Sequence, residues 1–438
     1  MFVIFMSSRL HPDGGGDVTA LRARVATIAA AALTTPVPEV ALQAGWNRPA
    51  RPVTPTASAA GAGTVRAGID VLRADGFAAL SGLRVGLLTN HTGLARDGSA
   101  TIDLLAAAPG VDLVALFSPE HGIRGLLDRS VPSTVDAQTG LPIHSLYGET
   151  RRPAADMLTG LDAIAVDLQD VGARFYTYVT AMAYVMEAAA PRGIKVVVLD
   201  RPNPIGGSAI EGPTLDQDQI GYAGYLPAMP IRHGLTMGEL ARLFNGELGL
   251  GADLAVVAMD GWDRGAWYDE TGLAWVNPSP NMRNLHAAAL YPGLGAFEHS
   301  NISVGRGTDT PFEQVGAPWV DGMQLAAALN ERAIPGARFY PVTFTPASRE
   351  FAGELCQGVF IVVTDRDALR PVRLGVELAA ALEALHPDRY EIDAAVRLFG
   401  SAAGLARIKA GDDPVAVAES WAAGERRWRT MRRPYLLY

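Results

Sequence analysis

The sequence predicts an α/β fold in which a parallel sheet is covered by helices on both faces. Two observations carry this prediction: short aliphatic runs recur along the chain, and helical patterns separate them. Strand, helix and strand in alternation at this spacing build a parallel sheet, because the crossover helix returns the chain to the same edge. In such sheets ligands bind beyond the carboxyl ends of the strands. The residues after each aliphatic run are therefore the candidates for function.

Five runs have the composition of buried strands and end at polar, Gly or Pro residues. They are RVGLLTN (84–90), DLVALF (112–117), DAIAVDL (162–168), KVVVLD (195–200) and LAVVAM (254–259). Helical patterns lie between them, among them SATIDLLAAA, TYVTAMAYVMEAAAPRG and TMGELARLFNGEL. In the last pattern Thr236 and Glu239 have the spacing of a capping box, which predicts a helix that begins there.

Composition divides the chain into three parts. Residues 1–63 are rich in Ala, Pro, Thr and Gly, which predicts a disordered or extended arm, and the apolar run 25–33 makes this arm a weak candidate export signal. Residues 64–284 contain the five strands and predict the main domain. Residues 285–438, with a strand at 358–364 and helices within 366–387 and 413–438, predict a smaller α+β domain. The sequence leaves secreted, envelope and cytoplasmic locations open, and it leaves the oligomeric state open.

Charge, cysteine content and missing motifs exclude several classes of function. A formal charge of −9 argues against a dedicated nucleic-acid binder, and the arginines near residue 430 are interpreted as a solvated helix face. A single cysteine, Cys356, excludes an internal disulfide and a Cys-based zinc site. No dinucleotide fingerprint, P-loop, metalloprotease or serine-hydrolase motif occurs, so neither a cofactor nor a metal is expected. No apolar run is long enough to span a membrane.

Polar side chains follow four consecutive predicted strands, in TNHTG (89–93), SPEHG (118–122), DLQDVGARFYTY (167–178) and DRPNPIGG (200–207). Four polar strand ends in succession predict one crevice lined with hydrogen-bonding groups. The segments LAWVNPSPNMRN (273–284) and 293–320, rich in Asn, Pro or Gly, are predicted to take part. The candidate residues from all of these segments are Asn90, His91, Glu120, His121, Asp167, Gln169, Asp170, Arg174, Tyr176, Arg201, Asn203, Asn281, Glu298, Ser303 and Arg306.

Eight motifs follow one another along the chain: TNHTG, SPEHGIRG, DLQDVGARFYTYVTAM, DRPNPIGG, EGP, NPSPNM, VGRGTDTPFEQVGAPW and RRPYLLY. In this order they resemble the bacterial exo-acting β-N-acetylmuramidases, a family of glycoside hydrolases, and the resemblance covers roughly residues 66–438. It implies a Rossmann-like catalytic domain, a C-terminal auxiliary domain and a cleft between them. It also implies release of N-acetylmuramic acid from the non-reducing end of peptidoglycan fragments, so a peptidoglycan-derived saccharide is the expected partner.

Glu120 is the candidate general acid for such a reaction, because glycoside hydrolysis needs a group that protonates the leaving oxygen. Its apolar neighbours Phe117 and Pro119 would favour the protonated form of a carboxyl group. We expect His121 either to orient Glu120 or to bind a sugar hydroxyl or the lactyl carboxylate. A hydrogen bond from His121 to a backbone carbonyl is an equally consistent alternative.

The second catalytic group stays open between Asp167, Asp170 and Glu298. Asp170 has the alternative of an i,i+4 ion pair with Arg174. Substrate assistance by the acetamido group would need an acid or an amide, and Asp167 or Gln169 is suited to that role. Retaining, inverting and substrate-assisted mechanisms all remain open. Another exo-β-N-acetylhexosaminidase, or a non-catalytic sugar or nucleotide binder on the same fold, is the alternative function.

The lactyl group of muramic acid carries a carboxylate, for which the site needs a cation. Arg174, Arg201 and Arg306 are the candidates, because guanidinium binds carboxylates bidentately. Tyr176 and Tyr178 are candidates to stack on a sugar face, and both are equally consistent with core aromatics at the start of a helix. For Tyr178 we expect the core position.

Overall fold

The computed structural model describes residues 65–120, 122–123, 134–147 and 150–438. The arm predicted for residues 1–63 and the candidate His121 lie outside the described residues. Within the described part of the chain, no helix is long and apolar enough to cross a membrane.

The centre of the fold is a seven-stranded sheet in which six strands run parallel. Its strands are β1 (Arg84–Thr89), β2 (Asp112–Ser118), β3 (Thr134–Val135), β4 (Pro142–Ser145), β5 (Ala163–Asp167), β6 (Lys195–Leu199) and β7 (Leu254–Val257). The order across the sheet is β3-β4-β2-β1-β5-β6-β7, and β3 pairs antiparallel with β4 at one edge. The five predicted strands are thus confirmed as β1, β2, β5, β6 and β7, whereas β3 and β4 were not predicted.

Helices cover both faces of this sheet, and the side chains of each strand alternate between them. The helices are α1 (Gly68–Ala74), α2 (Thr101–Ala106), α3 (Tyr178–Ala189) and α4 (Met237–Glu247). Val197 of β6 packs in the core with α1 and α2, and Val198 packs in the core with α3 and α4. The predicted capping box is confirmed: Thr236 Oγ1 accepts from the Glu239 N–H, and the Glu239 carboxylate accepts from the Thr236 N–H.

The chain after residue 284 forms a second, antiparallel sheet with helices packed around it. Its strands, β8 (Gln314–Ala317), β9 (Ala337–Phe344) and β10 (Cys356–Val363), have the order β8-β10-β9. Its helices are α5 (Leu285–Leu294), α6 (Gly322–Glu331), α7 (Pro371–Leu385), α8 (Val396–Phe399), α9 (Ala402–Lys409), α10 (Pro414–Glu419) and α11 (Ala422–Arg432). The predicted helix of 366–387 begins only at Pro371, because proline is favoured in the first turn and disfavoured further in.

One hydrophobic core joins the two predicted domains. Val196 and Val198 of β6 belong to the same buried cluster as Val315 of β8 and Leu374 of α7. The α3 and α4 face of the main sheet is therefore packed against the C-terminal region rather than separated from it. The predicted boundary at residues 284 and 285 stays a prediction.

Candidate active site

A cavity of about 670 Å³ lies beyond the carboxyl ends of β2 and β5, where the parallel sheet predicts a ligand. Its volume is that of a site for a small molecule. Residues from both halves of the described chain form its wall. The lining residues are Glu120, Tyr147, Arg151, Phe175, Tyr176, Thr177, Tyr178, Asp218, Gln219, Ile220, Gly221, Tyr222, Ala223, Ser279, Asn281, Met282, Tyr291, Glu298, His299, Arg306, Phe312, Arg349, Arg397 and Leu398.

Glu120 is a half-buried acid that lies two residues after β2 and lines the cavity. The hydroxyl of Thr177 donates a hydrogen bond of 2.7 Å to Oε2 of Glu120. Thr177 directly precedes α3, in the segment that follows β5. The carboxyl ends of two parallel strands thus bring an acid and an orienting hydroxyl together, although 57 residues separate them.

Aromatic rings form the floor of the cavity. The ring centroids of Tyr176 and Tyr178 are 4.8 Å apart, those of Tyr291 and Phe312 are 4.7 Å apart, and those of Phe175 and Tyr291 are 5.2 Å apart, all edge to face. Burial raises the pKa of the hydroxyls of Tyr176, Tyr178 and Tyr291 well above the ordinary value, so these groups stay protonated at neutral pH. Tyr178 is fully buried at the start of α3, as predicted.

The lining also contains an ion pair between Glu298 and Arg306. The side chains of both residues are mostly buried, with 18% and 16% of their surface exposed. The loop between them turns at Gly305, whose φ of 79° is a left-handed conformation that glycine adopts without steric cost. The Phe312 N–H donates to the Val304 carbonyl at 2.8 Å and closes the turn that follows. Phe312 itself has a φ of 63°, a strained conformation for a residue with a side chain. Residues with such strained backbone angles cluster at functional sites.

Three exposed arginines that were not predicted complete the lining: Arg151, Arg349 and Arg397. Arg151 follows β4, a strand that was itself not predicted, and Arg397 belongs to the one-turn helix α8. No motif marks either position. The only sequence signal was the adjacent charge pair at 151–152, which a solvated loop explains equally well.

Asp167 and Arg201, predicted for catalysis and for substrate binding, bind each other instead. Nη2 of Arg201 donates to Oδ2 of Asp167 at 2.9 Å, and the Thr101 hydroxyl donates to the same oxygen at 2.5 Å. Both charged side chains are almost completely buried, and neither lines the cavity. A buried charge needs an opposite partner, and the two strand ends supply one to each other.

Asp170 and Arg174 do not form the i,i+4 ion pair that was the alternative role for Asp170. Oδ2 of Asp170 accepts from the Gly172 N–H at 2.8 Å and lies 3.2 Å from Nε2 of the buried His233. Asp170 does not line the cavity.

Arg174, a predicted ligand of the lactyl carboxylate, is fully buried and does not line the cavity. Its guanidinium donates to four backbone carbonyls, those of Pro213, Met229, Leu398 and Phe399, at 2.8–3.0 Å. Burial lowers the pKa of Arg174 to about 9. Two of these carbonyls belong to α8, so Arg174 fixes the helix that carries Arg397 and Leu398 to the cavity.

Five further candidates stabilise loops and do not line the cavity. Asn90 Oδ1 accepts from the Thr92 N–H (2.9 Å), His91 Nε2 lies 2.6 Å from the Asn277 carbonyl, Gln169 Nε2 donates to the Pro202 carbonyl (2.8 Å), Asn203 Nδ2 donates to the Leu235 carbonyl (3.0 Å), and Ser303 Oγ accepts from the Gly305 N–H (3.2 Å). Buried backbone N–H and C=O groups at the strand ends need hydrogen-bond partners, and these side chains provide them.

The candidates that the structure brings together at the cavity are Glu120, Tyr176, Asn281, Glu298 and Arg306.

Within the described residues, no group of three or more His, Cys, Asp or Glu side chains is placed to hold a metal ion.

Comparison with known proteins places the chain in a family. The model of the N-terminal domain of the exo-β-N-acetylmuramidase NamZ matches residues 85–286, and the model of its C-terminal domain matches residues 289–438. The chain belongs to the NamZ family. The resemblance that the motifs indicated is thereby confirmed.

Relatives and solved structures of similar proteins agree with this assignment. The chain is 41% identical over 379 residues to the peptidoglycan β-N-acetylmuramidase NamZ of Bacillus subtilis (strain 168), covering 85% of this chain and 91% of the relative. Crystal structures of two DUF1343 family proteins from Bacteroides fragilis NCTC 9343 superpose with TM-scores of 0.80 and 0.71. They are 36% and 32% identical to this chain and cover 86% and 85% of it, and each is itself covered to 99%. The predicted α/β fold is confirmed.

Proposed function

We propose that this member of the NamZ family is an exo-acting β-N-acetylmuramidase that hydrolyses terminal non-reducing N-acetylmuramic acid from peptidoglycan fragments. The family match and the activity named for the Bacillus subtilis relative support the reaction. The observation that carries it is Glu120, a carboxyl group that faces a cavity beyond the sheet edge and is oriented by Thr177.

Glu120 is the proposed general acid. The Thr177 hydroxyl holds Oε2, which leaves Oε1 to carry the proton toward the substrate. As the bond from the anomeric carbon to the glycosidic oxygen breaks, that oxygen takes the proton, and the expelled sugar leaves as a neutral alcohol. For His121, which lies outside the described residues, the predicted alternatives stay open: orienting this acid, binding the substrate, or a hydrogen bond to a backbone carbonyl.

Glu298 is the proposed second carboxylate, because it alone among the predicted alternatives lines the cavity. A carboxylate held in an ion pair with Arg306 is placed to stabilise a cationic sugar or to activate water. For Asp167, Asp170 and Gln169 we propose a structural role, since their partners are buried protein groups.

Arg306 is the proposed partner of the lactyl carboxylate, and Asn281 that of the acetamido group. Arg306 is the one predicted arginine among the lining residues, and a guanidinium has enough donors to bind Glu298 and a substrate carboxylate together. The floor tyrosines, Tyr176 among them, supply apolar surface for the sugar ring and protonated hydroxyls.

The test compares leaving groups in wild type and Glu120→Gln. With a disaccharide that ends in β-linked N-acetylmuramic acid, we expect kcat to fall by roughly 10²–10⁴-fold, the usual contribution of a general acid. With 4-nitrophenyl β-N-acetylmuraminide we expect a much smaller loss, because nitrophenolate leaves without a proton. Asp112→Asn, an acid-to-amide change at the exposed other end of β2, is the matched control and should retain activity on both substrates.

Two results would contradict this assignment at different levels. An equal loss on both substrates would remove Glu120 from the general-acid role. A wild-type protein inactive on the muraminide and on its N-acetylglucosaminide twin would contradict the glycosidase function, and preference for the twin would favour another exo-hexosaminidase.

A further inference from the structure

A cluster of Tyr147, Arg151 and Tyr222 lines the cavity on the side of the loop at 218–223. It is named the leaving-side rim, because the sugar that leaves in the reaction is assigned to it below. The Arg151 guanidinium lies 4.1 Å from the ring centroid of Tyr222 and 5.9 Å from that of Tyr147. Such cation–π contacts hold the plane of the guanidinium while its N–H edge remains available. Among the residues that the structure describes, Arg151 has no ion-pair partner.

The adjacent Arg152 also rests on a tyrosine ring, but its charge is neutralised within the protein. Its guanidinium lies 3.7 Å from the ring centroid of Tyr184 and forms an ion pair of 2.9 Å with Glu187. Arg152 does not line the cavity. Two neighbouring arginines thus rest on tyrosine rings, but only Arg151 turns its charge toward the cavity.

The order of the strands places Glu120 between Arg151 and Arg306. In the main sheet β2, which precedes Glu120, lies between β4, which precedes Tyr147 and Arg151, and the pair β1 and β5. The last residues of β2 and β4 pair with each other, so Glu120 and Tyr147 leave the sheet side by side. On the other side, the ring of Tyr176, after β5, contacts that of Tyr291, which contacts that of Phe312 in the loop after Arg306. Glu120 therefore lies between the leaving-side rim and Arg306.

A general acid contacts the oxygen shared by the two sugars, so one sugar must lie on each side of Glu120. If Arg306 binds the carboxylate of the N-acetylmuramic acid whose bond is cleaved, the sugar that is expelled extends toward Arg151. The expelled sugar of a peptidoglycan fragment is an N-acetylhexosamine, whose hydroxyl and acetamido oxygens accept hydrogen bonds.

We propose that Arg151, held by Tyr147 and Tyr222, forms a leaving-side subsite that binds the N-acetylhexosamine expelled by the reaction. This proposal rests on the proposed function. Arg151 donates hydrogen bonds from its exposed edge, and the two tyrosines fix its position before substrate arrives, so that little side-chain entropy is lost on binding.

The experiment compares Arg151→Met with Arg152→Met on two substrates that differ only in the leaving group. One is the disaccharide of N-acetylmuramic acid β-linked to N-acetylglucosamine, and the other is β-N-acetylmuraminyl fluoride, whose leaving group is too small to reach the rim. For Arg151→Met we expect kcat/KM to fall about tenfold on the disaccharide and less than about twofold on the fluoride, as for the loss of a charged hydrogen-bond donor. Arg152→Met should change both values by the same small factor.

Equal losses on the two substrates for Arg151→Met, or no loss on either, would overturn the subsite. A loss on the disaccharide with Arg152→Met as large as that with Arg151→Met would also overturn it, because the effect would then be one of local folding. If wild type hydrolyses neither substrate, the proposed function fails instead. The two failures are thus distinguishable.

Discussion

At the scale of single residues, the hydrogen-bond and ion-pair partners of a polar side chain decide whether it stabilises the fold or is available for chemistry. Glu120 lies two residues after β2 and Asp167 is the last residue of β5, at the same edge of the sheet, and both were candidates for catalysis. Asp167 is bound by a buried guanidinium and a hydroxyl, whereas Glu120 accepts a hydrogen bond from the Thr177 hydroxyl and lines the cavity. A carboxyl group at the same sheet edge therefore serves packing in one case and is available for chemistry in the other.

Arg306 provides a prediction at this scale. We expect wild type to hydrolyse an aryl β-N-acetylmuraminide roughly 10–100-fold better, as kcat/KM, than the same glycoside with its lactyl carboxylate as a methyl ester. In Arg306→Met this preference should disappear, because the cation that distinguishes the carboxylate from the ester is gone. Arg306→Lys, which keeps the charge but not the bidentate geometry, should retain part of it.

Kinetics on the acid and the ester, measured for all three proteins, check this prediction. A preference that survives unchanged in Arg306→Met would assign the lactyl carboxylate to another group of the lining.

At the scale of elements, the floor of the cavity depends on how closely two helices approach. Tyr291 belongs to α5, which crosses α7 where Gly293 faces Gly375. A Cβ atom on Gly293 would lie 2.0 Å from the carbonyl oxygen of Pro371, so no side chain fits without moving a helix. Glycine within a helix costs about 1 kcal/mol relative to alanine, and here close packing offsets that cost.

We predict that Gly293→Ala lowers the free energy of unfolding by about 1–3 kcal/mol, as overpacking in a core does. The matched control is Gly424→Ala in α11, where the nearest atom to a new Cβ is a Thr214 methyl carbon at an ordinary 3.4 Å. That change should stabilise the protein by about 0.5–1 kcal/mol through helix propensity. Urea unfolding followed by circular dichroism measures both, and a stabilised Gly293→Ala protein would contradict the close crossing.

At the scale of the whole molecule, buried polar groups connect segments that are far apart in sequence. Arg174 joins the segment after β5 to α8, more than 220 residues later. Asp200, after β6, accepts hydrogen bonds from the Thr236 hydroxyl at 2.7 Å, the Gly238 N–H at 2.8 Å and the Tyr438 hydroxyl at 2.8 Å. Buried polar contacts thus join distant segments of the chain, and those of Arg174 also position part of the cavity lining.

Asp200 makes the stability of the fold depend on pH. Burial raises the pKa of its carboxyl group from an ordinary 3.8 to about 6, so the folded protein keeps a proton that the unfolded chain has already lost. The contribution of Asp200 is therefore fully present below about pH 4 and is lost as pH rises to about 6, by about 3 kcal/mol. Because Asn does not titrate, the stability difference between wild type and Asp200→Asn should shrink by that amount over the same interval.

Urea unfolding of both proteins at several values between pH 4 and pH 7 provides the measurement. A difference that stays constant with pH, or that grows toward pH 7, would contradict a raised pKa at Asp200.

The sequence by itself determined the parallel sheet, its five main strands, the capping box of α4 and the family. These follow from local patterns: aliphatic runs, helical periodicity and motifs that are continuous in the chain. The sequence also selected Glu120, Glu298 and Arg306, because their motifs are continuous too.

Only the tertiary structure decided which polar strand ends face the cavity. Asp167 with Arg201, and Arg174 with its four carbonyls, could not be assigned from sequence, because their partners are 34 to 225 residues away. Arg151 was missed for the same reason, since the nearer of its two tyrosine rings, that of Tyr222, comes from a loop far along the chain. A buried polar group must find a partner, and which partner is within reach is a property of packing rather than of spacing along the chain.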